Sequence, residues 1–307
     1  MYESFNNFIV LMQKNGIDLK YAQVRQGGEI VVEWSSMPSK TRLNMWSASK
    51  SFISIGVGIA IDEGLMTLDE KMVDTFPEYV TEKTSQNLLD VKVRDLLTMT
   101  VGLENPLFFG DSPERYLVKD WIHYYFNASF TEKPGKRFLY SNFNTYMLSN
   151  MIERKAGVKN TLYYLRDRLF EPIGIGNPDW TCCPMGHIYA ANGLYCTIDE
   201  LGYFGEMLLR KGGYNGKRIV SSSYIDDAAK KYTDSCPPPG GGDVTMYNGY
   251  GYHFWLTQIP GSFFASGNYG QGCIVVPDKD AVISFMSLEG DKFGLIMDKA
   301  PEIAYGL

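Results

Sequence analysis

Histidine is scarce in this 307-residue sequence, and several motifs that depend on it are missing. The three histidines, His123, His187 and His253, are isolated, and neither H-x-H nor H-E-x-x-H occurs. Because such spacings supply the ligands of catalytic zinc, a metal hydrolase is not expected. The G-x-S-x-G turn that presents the nucleophilic serine of α/β-hydrolases is also absent. An enzyme of this sequence that transfers acyl groups would therefore need a base other than histidine.

Paired cysteines, basic runs and long apolar runs are lacking as well. The cysteines have neither the even number of a disulfide framework nor the spacing of a zinc site, so we expect reduced thiols. They are Cys182, Cys183, Cys196, Cys236 and Cys273. With 29 basic and 35 acidic residues, the net charge is −6, so neither nucleic acid nor a membrane surface is an expected partner. The absence of a signal-peptide pattern and of a bilayer-spanning apolar run predicts a cytoplasmic protein. We expect no cofactor and no metal, and the oligomeric state stays open.

The order of the predicted elements indicates an α+β fold. An amphipathic helix over residues 3–15 precedes a β-hairpin formed by 21–24 and 30–34. The other predicted helices cover 46–63, 93–100, 116–126, 144–156, 162–170 and 198–211. The other predicted strands cover 249–256, 261–265, 272–276 and 281–286. We therefore predict an α/β sandwich with a central antiparallel sheet, built from residues 1–64 and 193–307. Residues 65–192 would form an inserted, mostly helical domain, with the active site in the cleft between the two.

A serine and a lysine three residues apart begin the most apolar predicted helix. At this spacing, Ser47 and Lys50 lie on one helical face, close enough to hydrogen-bond. A serine hydroxyl needs a neighbouring base to act as a nucleophile. A lysine becomes such a base when burial lowers its pKa. We therefore interpret Ser47 as the candidate nucleophile and Lys50 as its activator.

Two Tyr-x-Asn patterns offer a tyrosine that could transfer a proton. Tyr125 lies within a predicted aromatic helix, where a packing role is the simpler interpretation. Tyr140, with Asn142 two residues later, follows a loop that leads into a predicted helix. A tyrosine at such an edge can reach a cleft and exchange a proton if a cation such as Lys50 lowers its pKa. We therefore favour Tyr140.

A glycine-rich turn joins two predicted strands near the carboxyl end. Residues 265–272 read A-S-G-N-Y-G-Q-G, and glycines at this density allow the backbone to approach a ligand closely. A backbone N–H in this turn, with that of Ser47, could form an oxyanion hole. The turn lacks the strand–turn–helix context of a dinucleotide-binding fingerprint.

Taken in order, these motifs make the chain similar to the serine β-lactamase-like hydrolases. That superfamily includes class C β-lactamases, DD-peptidases, D-aminopeptidases, family VIII esterases and 6-aminohexanoate-dimer hydrolases. L-L-T-M-T-V-G-L at 96–103 resembles the family's L-L-T-H-T-S-G-L segment, and P-G-K-R-F-L-Y-S-N at 134–142 resembles its P-G-x-x-F-x-Y-S-N block. Further matches lie at 170–174, 192–197 and 249–251. The resemblance covers about residues 20–290.

The resemblance implies acyl transfer by an activated serine. Ser47 would attack an ester or amide carbonyl while Lys50 and Tyr140 move the proton, and water would later hydrolyse the acyl-enzyme. The oxyanion would lie between the backbone N–H groups of Ser47 and Asn268. Asn142 would orient Lys50 or the substrate amide. Substrate contacts are expected from Asn142, Ser266, Gly267 and Tyr269, and from loops at 107–115, Trp180 and 232–248.

The third motif departs from the β-lactamase pattern. Ala265 stands where β-lactamases and DD-peptidases of this superfamily carry Lys or His. A missing cation weakens recognition of the carboxylate of a β-lactam or cell-wall peptide. We therefore expect a small ester or amide as substrate. A β-lactamase or penicillin-binding D-amino-acid peptidase is the alternative, and a protein of another class, a non-turnover acylated sensor or an assembly-forming relative, is the third possibility.

Overall fold

A six-stranded antiparallel sheet forms one layer of the structure. The computed structural model describes residues 2–108, 112, 114–235 and 248–307. The strand order is β2-β1-β11-β10-β9-β8, so the hairpin near the start of the chain pairs with strands from the end. The strands of the structure are β1 (Leu19–Gln26), β2 (Glu29–Ser35), β3 (Leu43–Asn44), β4 (Asp179–Trp180), β5 (Leu194–Cys196), β6 (Gly213–Tyr214), β7 (Lys217–Arg218), β8 (Trp255–Leu256), β9 (Phe263–Gly267), β10 (Gln271–Val276) and β11 (Ala281–Ser287). A small sheet of order β3-β5-β4 and the β6–β7 hairpin complete the strands.

Helices cover both faces of the large sheet and build a second layer. In chain order they are α1 (Tyr2–Lys14), α2 (Ser49–Asp62), α3 (Val93–Leu97), α4 (Glu114–Leu117), α5 (Trp121–Phe126), α6 (Asn142–Ala156), α7 (Thr161–Leu165), α8 (Ile198–Leu209), α9 (Ser222–Ala228) and α10 (Phe293–Lys299). Short 3-10 turns lie between several of them, and a π-helical turn, Arg166–Phe170, continues α7. The predicted α+β fold is confirmed.

The large sheet has an apolar core on each face, and alternate side chains of its inner strands pack into one core or the other. In β10, Ile274 and Val276 face α1 and α10, whereas Cys273 and Val275 face the helical layer. Because successive side chains of a strand point to opposite faces, a strand covered on both sides must be apolar throughout. This requirement explains the unbroken apolar run from Cys273 to Val276 in β10.

Helix α2 runs through the middle of the helical layer and is buried from Ser49 to Ala60. Phe52 stacks on Phe204 of α8, with ring centroids 3.7 Å apart. On another side, a Cβ at Gly58 would lie 2.5 Å from the ring of Tyr224. Since real Cβ contacts are not that short, Gly58 allows α9 to pack directly against α2. Helix α2 is therefore fixed by neighbours along its length.

Several predicted elements are shorter or more broken than expected, and for two of them the local contacts show why. The helix predicted over 116–126 is two helices, because Asp120 begins α5 by accepting a hydrogen bond from the backbone N–H of His123. The strand predicted over 249–256 is reduced to β8. The chain turns before it: Gly251 N–H donates to Phe254 O at 2.9 Å, and His253 has a φ of 58°. A residue in the left-handed region interrupts an extended strand.

Three further predictions concern the domain division, membrane-spanning helices and one wall of the pocket. The division into residues 1–64 with 193–307 and an inserted 65–192 stays a prediction. In the part of the chain that the structure describes, no helix combines the length and apolarity needed to cross a membrane. The predicted pocket wall at 232–248 lies mostly outside the described residues, which resume at Asn248.

Candidate active site

Ser47 lies in a 3-10 turn, Trp46–Ala48, immediately before α2. The side chain of Asn44 holds this turn in place: its Oδ1 accepts from Trp46 N at 2.8 Å and from Gly193 N at 3.2 Å. Met45 N–H also donates to Leu194 O at 2.7 Å. These bonds attach residues 193–194 to the turn that carries Ser47. The neighbouring residue Ala191 is thereby brought to the start of α2.

The amine of Lys50 contacts three oxygen atoms. Its Nζ lies 2.9 Å from Ser47 Oγ, 2.8 Å from Asn142 Oδ1 and 2.9 Å from Ala191 O. Lys50 is 1% exposed, whereas Ser47 is only half-buried. Burial lowers the pKa of Lys50 well below its ordinary value, because a charged ammonium loses its hydration there. Lys50 is therefore a buried base in contact with an accessible hydroxyl.

The chemistry of the three oxygens determines where the lone pair of a neutral Lys50 points. The Asn142 Oδ1 and Ala191 O atoms can only accept hydrogen bonds, and a neutral amine has two N–H groups to donate to them. Ser47 Oγ is the one neighbour of the three that carries a proton. The lone pair of the neutral amine therefore faces the Ser47 hydroxyl. This arrangement allows Lys50 to take the proton from Ser47.

Tyr140 presents its ring to the same amine. Lys50 Nζ lies 4.8 Å from the centroid of the Tyr140 ring. The ring stacks on Trp255, at 5.4 Å between centroids. The loop before Tyr140 is held by the Leu139 N–H, which donates to Met99 O at 2.8 Å. The structure thus brings Tyr140 to Lys50, and its role in proton transfer stays a prediction.

The end of β9 packs against the turn that carries Ser47. A Cβ at Gly267 would lie 2.2 Å from Met45 O and 3.2 Å from Ala48 N. Only glycine allows this approach, which places the following residue, Asn268, beside the Ser47 turn. Within the described residues, neither the Ser47 N–H nor the Asn268 N–H donates to a backbone or side-chain acceptor. One of these donors lies just before α2 and the other just after β9, and two such N–H groups suit a developing oxyanion. The oxyanion hole stays a prediction.

The other predicted contact residues occupy different places. Asn142 is fully engaged, since its Nδ2 donates to Phe108 O at 2.9 Å while its Oδ1 contacts Lys50. This geometry favours orientation of Lys50 over direct contact with a substrate. Ser266 is buried, and its Oγ donates to Met297 Sδ at 3.8 Å. Tyr269, with a φ of 61°, packs on Trp46, at 4.7 Å between ring centroids.

A cavity of about 420 Å³ adjoins the Ser47 turn. Its walls include Asn44, Trp46, Trp121, Thr181, Tyr189 and Asn192. Of the predicted walls, Arg115 lines this cavity, and residues 109–111 and 113 lie outside the described residues. The loop predicted around Trp180 contributes Thr181, Cys182, Cys183 and Pro184 to the wall. Trp180 itself is 3% exposed and packs in the core, where its indole Nε1 donates to Asn192 O at 2.8 Å.

Sequence reasoning missed Trp46, Tyr189 and Ala191. Ala191 contributes a carbonyl oxygen, which carries no signal in residue type. Trp46 could have been found from its position next to Ser47. Tyr125, in contrast, is fully buried with its ring stacked 5.6 Å from that of Phe143, as the packing interpretation expected.

Within the described ranges, this site holds neither a cluster of metal ligands nor a disulfide. Among the residues that the structure describes, no three His, Cys, Asp or Glu side chains lie close enough to share a metal ion. Free thiols occur at Cys182, Cys183, Cys196 and Cys273, and Cys236 lies outside the described residues.

Comparison with known proteins identifies the family and the fold of this chain. The family model described as Beta-lactamase matches residues 8–294. A 6-aminohexanoate-dimer hydrolase from Paenarthrobacter ureafaciens is 24% identical over 283 residues, which are 86% of this chain and 71% of that protein. A family VIII carboxylesterase has a TM-score of 0.73 at 17% identity, covering 97% of this chain and 96% of its own. The octameric penicillin-binding protein homologue from Pyrococcus abyssi has a TM-score of 0.76 at 18% identity, covering 99% and 77%.

Proposed function

This chain belongs to the beta-lactamase family, and we propose that it is a serine hydrolase that cleaves a small ester or amide through an acyl-enzyme on Ser47. The observation that carries the proposal is the buried amine of Lys50, placed 2.9 Å from Ser47 Oγ with two acceptor oxygens on its other side. Such an amine activates a hydroxyl without a histidine.

Acylation would begin with proton transfer from Ser47 Oγ to Lys50 Nζ. The oxygen would attack the substrate carbonyl carbon, and the resulting oxyanion would accept hydrogen bonds from the N–H groups of Ser47 and Asn268. Collapse of the tetrahedral intermediate breaks the bond to the leaving group, which needs a proton. Tyr140 would deliver that proton, recovered from Lys50, because its ring lies against the same amine.

Deacylation would reverse these roles. A water molecule would lose its proton to the Lys50–Tyr140 pair and attack the acyl carbon, and Ser47 would leave as the hydroxyl. Asn142 would keep the Lys50 amine in position during both steps, since it accepts a hydrogen bond from Lys50 and is itself fixed by donating one to Phe108 O.

A small ester or amide is favoured over a β-lactam. Ala265 is fully buried and supplies no cation at the third-motif position. The 6-aminohexanoate-dimer hydrolase and the family VIII carboxylesterase among the similar proteins point in the same direction.

The test is a burst-phase assay with p-nitrophenyl butyrate and nitrocefin, run in parallel on the wild type, Ser47→Ala and Ser54→Ala. Ser54 lies further along α2, bonded to Tyr224, so it is a matched control for loss of a hydroxyl. We expect multiple turnovers of the ester in the wild type and in Ser54→Ala, and none in Ser47→Ala.

Other outcomes would redirect the proposal. Ser47-dependent turnover of nitrocefin would favour the β-lactamase alternative. A stoichiometric burst without turnover would favour the acylated sensor. Ester turnover that survives in Ser47→Ala would reject Ser47 as the nucleophile.

A further inference from the structure

Two aromatic side chains connect the backbone segments that carry the proposed oxyanion donors. Trp46 comes directly before Ser47 in the chain. Tyr269 comes directly after Asn268, and the centroids of the Trp46 and Tyr269 rings lie 4.7 Å apart. We propose that this ring contact has a positioning role: it holds the N–H groups of Ser47 and Asn268 at the spacing that the oxyanion requires. The role rests on the proposed acyl-enzyme on Ser47.

Both aromatic residues hold their backbones in a conformation that large side chains seldom adopt. The φ of Trp46 is 47° and that of Tyr269 is 61°, so both lie in the left-handed region. Such a conformation persists only where several surrounding contacts impose it, and it is found mainly at functional sites. Here each left-handed residue is the chain neighbour of one proposed donor. The two unusual turns therefore coincide with the two places where the position of an N–H group matters.

Hydrogen bonds fix each turn within its own segment. The Trp46 N–H donates to Asn44 Oδ1 at 2.8 Å, and the Trp46 carbonyl oxygen accepts from the N–H of Ser49. On the other segment, Gln271 Nε2 lies 3.5 Å from Tyr269 O, and Gln271 is fully buried. These bonds set the shape of each turn. They do not set the distance from one turn to the other.

Two contacts join the turns to each other. The first is the close approach of Gly267 to Met45 O, which brings the backbones together but uses no side chain. The second is the ring contact, whose planes are tilted by 39°. Tilted aromatic rings at this distance attract each other by more than their buried area accounts for. The ring contact therefore adds a side-chain attraction across the gap between the two donors.

The spacing of the donors matters because the negative charge develops only as the reaction proceeds. Donors that are already in place need no reorganisation at that moment, whereas donors on loosely joined turns would have to be brought together first. Removing one oxyanion donor outright typically lowers kcat by about 10²–10³-fold. A contact that only positions the donors should contribute less, on the order of tenfold. The loss should fall on kcat, because the substrate carbonyl is still neutral when it binds.

The test is a cycle of variants on the ring contact. Trp46→Ala, Tyr269→Ala and the double variant are compared with the wild type in hydrolysis of p-nitrophenyl butyrate, thermal unfolding and calorimetric titration with butylboronic acid. The Ser47 oxygen would add to the trigonal boron and pass its proton to Lys50, so that a boron hydroxyl occupies the oxyanion position. This tetrahedral adduct resembles the transition state and is measured without turnover. Titration of Ser47→Ala gives the binding that does not depend on the adduct.

Each single variant should lower kcat and the affinity for butylboronic acid about tenfold, and leave KM within about threefold. The double variant should lose little more than one single variant, because either replacement removes the same contact. Tyr269→Phe restores the ring and should recover most of the loss, since within the described residues the Tyr269 hydroxyl has no hydrogen-bond partner. Tyr269 is 37% exposed, so replacing it disturbs little of the core.

Tyr203→Ala is the matched control. Tyr203 of α8 forms another tilted ring pair, with Tyr214 of β6 at 6.2 Å between centroids. Its replacement should leave the affinity for butylboronic acid unchanged, whatever it does to Tm. A folded Tyr269→Ala protein that has a lower Tm but keeps this affinity would overturn the proposal, since it would show a merely structural role.

Two further outcomes would count against the ring contact alone. Losses that multiply in the double variant, while Ser47-dependent turnover persists in the wild type, would show that the two rings act independently. If Trp46→Ala does not fold, as judged by circular dichroism, equal affinities of Tyr269→Ala and Tyr269→Phe would overturn the proposal. A wild type that neither hydrolyses the ester nor forms a Ser47-dependent adduct would instead reject the hydrolase function, and the positioning role with it.

Discussion

Two buried bases, Lys50 and His253, lie in neighbouring parts of the molecule. Their side-chain nitrogens differ in how many hydrogen-bond partners they have. Lys50 is 1% exposed and His253 is 2% exposed. The adjacent residue Ser51 connects them, since its Oγ donates to His253 O at 2.7 Å. Lys50 has three oxygen partners, whereas His253 has Thr145 Oγ1 at 3.0 Å from Nε2 and no partner among the described residues for Nδ1.

Burial lowers the pKa of both groups, but only Lys50 lies next to an accessible group with which it could exchange a proton. The lone pair of a neutral Lys50 faces a hydroxyl that is half open to solvent. His253 is enclosed, and burial, together with the charge of Lys50, lowers its pKa to about 3. A shifted pKa therefore identifies a functional base only when an accessible group lies next to it. We therefore propose a role in proton transfer for Lys50 and a structural role for His253.

The largest expected effect comes from replacing Lys50. Lys50→Met keeps much of the volume and removes the base, so acylation should fall by on the order of 10³-fold. Stopped-flow measurement of the burst with p-nitrophenyl butyrate would detect this loss. If Ser47 and Lys50 act as one unit, as we propose, the Ser47→Ala/Lys50→Met double variant should be no slower than Ser47→Ala. Additive losses would contradict the pairing.

A negative charge placed beside Lys50 should raise its pKa towards that of an exposed lysine. In Asn142→Asp, the carboxylate would raise the pKa of Lys50 again, because an opposite charge favours the ammonium. The loss of kcat/KM should be about 10²-fold at pH 7 and should shrink as the pH rises.

The pH profile supplies the check on this variant. In the wild type, kcat/KM should rise with pH through the lowered pKa of Lys50, well below 10.5. The rising limb should move to higher pH in Asn142→Asp. Asn150→Asp, with the same substitution within α6 but away from Lys50, is the control. A limb at the same pH in Asn142→Asp would show that Lys50 is not the titrating group.

The smallest effect on catalysis is expected from replacing His253. His253→Asn removes the imidazole and keeps a residue that tolerates the φ of 58°. It should lower the free energy of unfolding by about 1–3 kcal/mol through the lost Thr145 bond. Turnover should change by no more than about threefold, since this residue contacts no reacting atom. Thermal unfolding and ester hydrolysis measure the two quantities.

The acid stability of the wild type tests the same residue. The folded pKa of His253, about 3, lies below its ordinary value of 6.5, so between these values the unfolded chain binds the extra proton. Stability from this group is complete above pH 6.5 and is lost as the pH falls towards 3. The fall in Tm over this range should be shallower in His253→Asn than in the wild type. Equal slopes would contradict a buried, neutral His253.

The sequence contains enough to predict the first base but not the second. The three-residue spacing of Ser47 and Lys50 within an apolar helix has a direct chemical meaning, and the alternation of apolar residues predicted the sheet. His253 looked like one isolated histidine among three, inside a segment predicted to be a strand. The turn that buries it depends on Gly251, whose Cβ would lie 2.1 Å from Ala228 O, a distant part of the chain.

Other parts of the site are also set by contacts between distant residues. The Ala191 carbonyl reaches Lys50 because β3 pairs with β5, and nothing in the local sequence encodes that pairing. Arg115 and Tyr189 line the same cavity although they lie 74 positions apart in the chain. Local patterns therefore predict the residues proposed to react, whereas the residues that shape the cavity are brought together only by the fold.

The burial of α2 limits which parts of the site can change during evolution without loss of stability. The helix that begins next to Ser47 is also the most enclosed helix of the molecule, so most substitutions near the nucleophile are core substitutions with a cost in stability. Helix α4, which contributes Arg115 and Tyr116 to the wall of the cavity, has no buried residue. Substitutions there can change the wall while the free energy of unfolding stays nearly constant. Natural variation and laboratory selection should therefore accumulate at α4 more readily than at α2, next to the proposed nucleophile.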